Sequence, residues 1–251
     1  MHRFNLEALV LKSYNLKDYD KIYTVLAKEE GLVTLYARGV RRIKSKRSGS
    51  LDTLNHIKAK VSKSGEFLYV DEVSVINSFA PIKNSLIFQS HAFYLLELAY
   101  RLLKEEPLAG VFNQLIICLT KISQSKSDLQ SYLTVNTFEV YLMGALGYEI
   151  NLAGCVNCAK PFSIDWAVFR FSITNGGLLC PECSHSLQGI QIEQKTAEVL
   201  YSIGSNFKYR PPRLTKEHIY AADDLLKHYV KSVLEDSFKS ARVFKRIREV
   251  L

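Results

Sequence analysis

The chain has 251 residues, 47% of them hydrophobic, and carries 33 Lys and Arg against 25 Asp and Glu, a net charge of +8, with a pI near 9.1. That length holds two or three small domains with real cores, and the charge favours a polyanionic partner such as nucleic acid or an anionic membrane surface. No run of 18 or more apolar residues occurs, which argues against a membrane-spanning helix, and Met1-His2-Arg3-Phe4-Asn5-Leu6-Glu7 has no apolar signal core, so the chain is expected to be cytoplasmic with reduced thiols.

Residues 5–77 read as strands. Leu6, Ala8 and Val10 alternate with their neighbours, as do Ile22, Thr24 and Leu26; Glu30-Gly31 punctuates, and the run from Leu32 to Ala37 resumes. Ile57, Ala59 and Val61 alternate on a fourth strand, and Lys63-Ser64-Gly65-Glu66 turns into Phe67-Leu68-Tyr69-Val70, continuing through Val73 and Val75. Five strands in so short a stretch predict a small closed barrel, because closure removes exposed edges.

Between the third and fourth strands lies Ala37 to Gly49, with Arg38, Arg41, Arg42, Lys44, Lys46 and Arg47: six cations and no acid within ten residues. A flexible loop of this kind can lay its charges along a phosphate backbone without reading bases; the bland alternative is a solvated loop. Tyr14, Tyr19, Tyr36 and Tyr69 would stack on unpaired bases if they face a groove, and would otherwise fill or flank the barrel.

At Ala80-Pro81 the period changes to that of helices, expected over roughly 84–104, 107–124 and 128–147, and again at about 191–204, 215–235 and 239–249. Phe207 to Arg213 forms an aromatic and basic linker. Lys239 to Arg248 reads as a basic amphipathic helix, suited to extending a nucleic-acid path or meeting an acidic partner. Cys118 sits in an apolar stretch and reads as an inert core thiol.

The four remaining cysteines form two pairs, Cys155-Val-Asn-Cys158 and Cys180-Pro-Glu-Cys183, with 21 residues between them. Each Cys-x-x-Cys spacing lets two thiolates bite one ion from a tight knuckle, and two knuckles complete the tetrahedral set of four sulfurs that zinc prefers. Two redox or disulfide motifs are the alternative, but neither pair stands at a helix start after a strand. A closed four-sulfur site would hold a fold together and leave no position for activating water. Catalytic signals are weak: there is no GxxxxGK[ST] loop, no His-x-Glu beside the cysteines and no His-Glu-x-x-His, and the spacing of Asp18, Asp20 and Asp52 has no special logic for a carboxylate metal site. His185 is a spare ligand or, more simply, a surface residue.

With these pieces assembled, the chain resembles the bacterial DNA repair and recombination mediator family RecO over nearly its whole length. The resemblance is carried by Leu9 to Tyr14, Glu30-Gly31-Leu32-Val33, Ala37 to Arg42 with Lys44-Ser45, Phe138 to Tyr148, and Lys239-Ser240-Ala241-Arg242. It implies an α+β protein: a five-stranded OB-fold β-barrel over 1–80, an all-α helical domain over 81–150 and 188–251, and a four-cysteine zinc module at 151–187 within it. Some family members have lost the cysteines; this chain keeps all four, so one structural zinc ion is expected. The family has no known catalytic centre, so the resemblance implies a protein that is not an enzyme. Its members bind single- and double-stranded DNA, anneal complementary strands and, with RecR, help load RecA onto DNA coated by single-stranded DNA-binding protein, whose C-terminal tail docks on the helical domain in some members. Such a protein would be bacterial, cytoplasmic and nucleoid-associated. The alternatives are an RNA-binding OB-fold and zinc-ribbon protein and, further off, a zinc-dependent nucleic-acid enzyme.

Overall fold

In the first third of the chain, alternating side chains close a barrel. The structure, a computed structural model, describes residues 2–17, 19–43, 45, 47–103, 107–108 and 110–234. Its first five strands are β1 (His2–Asn15), β2 (Lys21–Ala27), β3 (Gly31–Ala37), β4 (His56–Ser64) and β5 (Phe67–Asn77), closed in the order β1-β2-β3-β5-β4. β1 is long enough to serve two neighbours, pairing with β4 from His2 to Leu9 and with β2 from Ala8 to Asn15, with a bulge between Val10 and Lys12. A bulge bends the strand and lets one segment turn the barrel corner. Closure is the parallel pairing of Leu35 with Leu68 and Tyr36 with Tyr69. Five strands with this Greek-key closure make an OB-fold barrel.

The barrel interior follows the alternation. Ala8, Val10, Val25, Leu35, Ile57, Ala59 and Val61 are fully buried, while Lys58 and Lys60 between them are exposed. The alanines keep the narrow interior unfilled by excess volume. Each buried branched side chain contributes about 1.5–3 kcal/mol relative to exposure.

The chain divides into two compact units, the first running through Gln124 and the second beginning at Ser125. In the first, the barrel is followed by a single turn, α1 (Ala80–Lys83), and by α2 (Leu86–Leu102) and α3 (Val111–Ser123). Ser85 caps α2 by accepting the Phe88 N–H at 3.3 Å. Cys118 on α3 is 1% exposed, and burial pushes its thiol up to about 11, as befits an inert core residue.

The second unit holds α4 (Asp128–Ala145), the short strands β6 (Asn151–Cys155), β7 (Arg170–Ser172), β8 (Gly177–Leu179) and β9 (Ile190–Gln191), then α5 (Gln194–Gly204) and α6 (Lys216–Leu234). The strands form one sheet in the order β6-β8-β7-β9. This sheet is not apparent in the sequence, because strands of two to five residues are too short to establish an alternation. Residues 191–193, expected at the start of a helix, instead finish β9 and lead into α5 at Gln194. The other expected helices over 84–147 and 215–235 form with ends trimmed by a few residues. The expected helix at 239–249 lies outside the described residues. Among the described residues no helix is long and apolar enough to cross a membrane.

Candidate nucleic-acid interface and metal centre

The loop after β3 is tied to the barrel at several points. Gly39 adopts φ +64°, a left-handed conformation that suits glycine, and its N–H donates to Asp20 Oδ1 at 2.6 Å. The Arg41 N–H donates to the Tyr19 carbonyl at 2.9 Å. Arg47 donates from Nη1 to the Val70 carbonyl at 2.6 Å and from Nη2 to the Arg38 carbonyl at 2.8 Å. Asn55 donates to the Gly49 and Ser50 carbonyls and accepts from Lys83 Nζ. The loop is therefore a braced ledge rather than a free tether.

The bracing divides the four described cations of the loop by role. Arg38, Arg41 and Arg42 are exposed, with the Arg38 guanidinium 4.3 Å from the Tyr69 ring centroid and that of Arg42 5.6 Å from Tyr19. Arg47 is half-buried and spends two donors on backbone carbonyls. Lys44 and Lys46 lie outside the described residues, as does the basic segment Lys239 to Arg248.

Beside the ledge, three rings gather on the barrel face. Tyr36 meets Phe67 edge-on at 5.0 Å and Tyr69 at 5.7 Å. They flank two adjoining hollows that share Tyr36, Arg38 and Tyr69. One, of about 480 Å³, adds Arg3, Arg47 and Lys60; the other, of about 240 Å³, adds Lys21 and Phe67. Asp71 and Glu72 also line the larger hollow and offset part of its charge, Arg3 pairing with Asp71 at 3.5 Å and Lys60 with Glu72 at 3.9 Å. Tyr36 and Tyr69 are thus brought together as a groove wall, whereas Tyr14 and Tyr19 are not among the lining residues described. Arg3, Lys60 and Phe67 escaped the sequence reading. Their signal was the outward half of the strand alternation, which says that they face out but not that they face one another.

The cysteine pairs sit where two neighbouring strands end. Cys155 closes β6, Cys180 follows β8, and β6 and β8 run parallel. In the first knuckle the Cys155 N–H donates to the Lys160 carbonyl at 2.8 Å and the Ala159 N–H to the Cys155 carbonyl at 2.9 Å. Ala159 takes φ +59° to complete the turn. Gly154 is pressed under it: a Cβ there would stand 2.5 Å from the Lys160 oxygen. In the second knuckle the Ser184 N–H donates to the Cys180 carbonyl and the Leu187 N–H to that of Cys183, each at 3.0 Å.

The four sulfurs lie within 4.8 Å of one another and none is in a disulfide. Cys158 and Cys180 Sγ are 3.7 Å apart, close to the edge of about 3.8 Å that a tetrahedron of Zn–S bonds requires. Asn157 Nδ2 donates to Cys183 Sγ at 3.3 Å, and Lys160 reaches Glu182 across the two knuckles at 2.7 Å. Burial opposes ionisation of Cys155, but N–H groups of Cys180, Cys158 and Asn157 outweigh it and bring the thiol down to about 6. Burial pushes Cys180 up. Four thiolates gathered in so small a volume call for a cation. The set can hold a metal ion, and His185 is outside it. Asp20, weighed as a metal carboxylate from the sequence, instead caps the Gly39 turn.

A family model described as Recombination protein O N terminal matches residues 1–79, and one described as Recombination protein O C terminal matches residues 84–242. A protein of Dehalococcoides mccartyi called DNA repair protein RecO is 30% identical over 205 residues, 82% of this chain and 79% of its own. Proteins of the same name from Symbiobacterium thermophilum and Desulforamulus reducens are 26% identical over 99% of both chains and 25% identical over 98% of this chain and 96% of the relative.

Proposed function

The chain belongs to the recombination protein O (RecO) family, and from that premise we propose that it is a DNA repair protein that binds single- and double-stranded DNA and anneals complementary strands. The observation that carries this reading is the groove on the barrel, where Arg3, Arg38 and Lys60 surround Tyr36 and Tyr69 beside the Arg41–Arg42 ledge. Cations along a groove neutralise phosphates regardless of sequence, and rings in it accept bases of any identity. A protein that neutralises two backbones at once lets base pairing supply the specificity, so it needs no base readout of its own.

Zinc is the metal we assign to Cys155, Cys158, Cys180 and Cys183. Four thiolates suit it, and its role here is structural, since a closed four-sulfur set leaves no coordination position for substrate or water. The reading is accordingly non-enzymatic. Resemblance to the family extends it to partners: RecR, with which the protein would help load RecA, and the C-terminal tail of single-stranded DNA-binding protein. A bacterial cytoplasmic, nucleoid-associated setting goes with that work.

The test is strand annealing with complementary oligonucleotides, bare and pre-coated with the cognate single-stranded DNA-binding protein, across a salt titration and without nucleotide cofactor. Acceleration that falls steeply with salt is expected on both substrates, with dependence on the tail only for the coated one. Competition against RNA at fixed salt separates the RNA-binding alternative. No acceleration of either substrate, or cleavage or deamination of the DNA, would overturn the proposal.

A further inference from the structure

The segment between β3 and β4 treats its apolar side chains in two ways. Val40, Leu51 and Leu54 are 0, 1 and 2% exposed, and the first two belong to the barrel core. Ile43 is 105% exposed, with its whole side chain in solvent. One exposed aliphatic residue is ordinary on a protein surface; the setting of this one is not. Its backbone is held: the Arg42 N–H donates to the Gly39 carbonyl at 3.1 Å, and the Ser45 N–H closes a turn on the Arg42 carbonyl at 2.8 Å, with Ile43 at the first corner. Branching at Cβ stiffens the side chain about χ1, so the ledge ends in an apolar point with few conformers. In the sequence that point stands between Arg41-Arg42 and Lys44. The Arg42 guanidinium lies 5.6 Å from the ring of Tyr19, itself 54% exposed.

Cations on both sides draw this point toward phosphates. Between the phosphates of a duplex the apolar surface is that of the stacked bases, and it is reached by parting a base step. Aliphatic side chains as small as Ile or Leu serve as such wedges, with Arg or Lys beside them. We infer that Ile43 is a wedge that enters a base step of duplex DNA while Arg41 and Arg42 hold the backbone next to it, so that the protein unstacks and bends the duplex locally. The inference rests on the proposed phosphate role of the ledge. Full burial of the side chain contributes about ten- to a hundredfold in affinity, and parting a step costs a similar factor. The wedge therefore alters the shape of the DNA and the choice of site more than the overall affinity. TA steps, which unstack easily, are favoured over A-tracts without any base edge being read. A membrane suits the tip less well, since even a myristoyl chain anchors only marginally and Ile43 is far smaller.

The experiment places aminopurine, a base analogue whose fluorescence is quenched by stacking, beside a central TA step in one duplex and within an A-tract in another. Each is titrated with the full chain at fixed low salt. The fluorescence of the TA duplex is expected to rise severalfold and that of the A-tract duplex little, and the TA duplex should bind about three- to tenfold more tightly. Ile43→Ser keeps every charge; it should abolish both the rise and the preference, with the salt slope of duplex binding and the melting temperature unchanged. Ile43→Leu should restore the rise. A duplex that binds without a rise, or a rise that survives Ile43→Ser, overturns the wedge and leaves the phosphate role standing. Absence of any duplex binding overturns both. Binding to phosphatidylserine vesicles that requires Ile43, with no fluorescence change on DNA, would assign the tip to a membrane and likewise overturn it.

Discussion

The triple variant Arg38→Ala, Arg41→Ala, Arg42→Ala removes the exposed described cations of the ledge while leaving Arg47, which braces it to the Val70 and Arg38 carbonyls. If each lost arginine forfeits one phosphate contact on a single strand, the slope of log affinity against log salt becomes shallower by about 0.7 per contact, or about 2 in all. At an ionic strength of about 0.1 M the same three contacts amount to roughly a hundredfold in affinity. Fluorescence anisotropy with a labelled homopolymer across a salt titration reads both quantities at once. Arg47→Ala is the companion variant. It deletes two charge-assisted hydrogen bonds to backbone and should lower barrel stability by about 1–3 kcal/mol, with a slope change of no more than one contact. An unchanged slope in the triple variant, with the barrel still folded, would refute the phosphate role of the ledge and direct attention to Arg3 and Lys60. A triple variant that unfolds the barrel would instead show that the braces have been assigned to the wrong residues.

Three further outcomes are expected. Purified protein should contain about one equivalent of zinc by elemental analysis, and Cys155→Ser should lose it and melt the second unit at lower temperature, because structural zinc supplies on the order of 10 kcal/mol to such modules. Gly154→Ala keeps all four cysteines but places a Cβ 2.5 Å from the Lys160 oxygen; it should weaken metal retention against a chelator, and full retention would show that the knuckle backbone can shift freely. Burial, helped by the charge of Asp52, raises Tyr23 to about 12. A phenol raised above its ordinary value of about 10 contributes stability that is complete below that pH and lost as pH climbs through 12, so Tyr23→Phe should flatten the stability loss between those values, by about 1–3 kcal/mol in urea melts.

Much of the barrel was legible because its information is local. Ile57, Ala59 and Val61 alternate with lysines, and a period of two puts the first set inside. The helices beyond Ala80 were legible for the same reason at a longer period. The four-stranded sheet around the knuckles was not, since strands such as Ile190–Gln191 are defined by their partners and not by any pattern of their own. Arg47 illustrates the limit within the site. Six cations in ten residues look equivalent along the chain, and only the approach of β5 turns Arg47 into a brace.

By itself, the sequence determined the chemistry carried by short stretches: the thiolate pairs at knuckle spacing, the concentration of positive charge after β3, and the inward and outward faces of each strand. These depend on bonds and periods spanning a few residues. What the tertiary structure alone decided is which of those stretches meet. The parallel neighbours β6 and β8 bring two cysteine pairs within 4.8 Å, and the closure of β3 on β5 sets Tyr36 beside Tyr69 and Arg38. Registers between distant strands and helices are set by the packing of the whole core, and no window of the chain contains that sum.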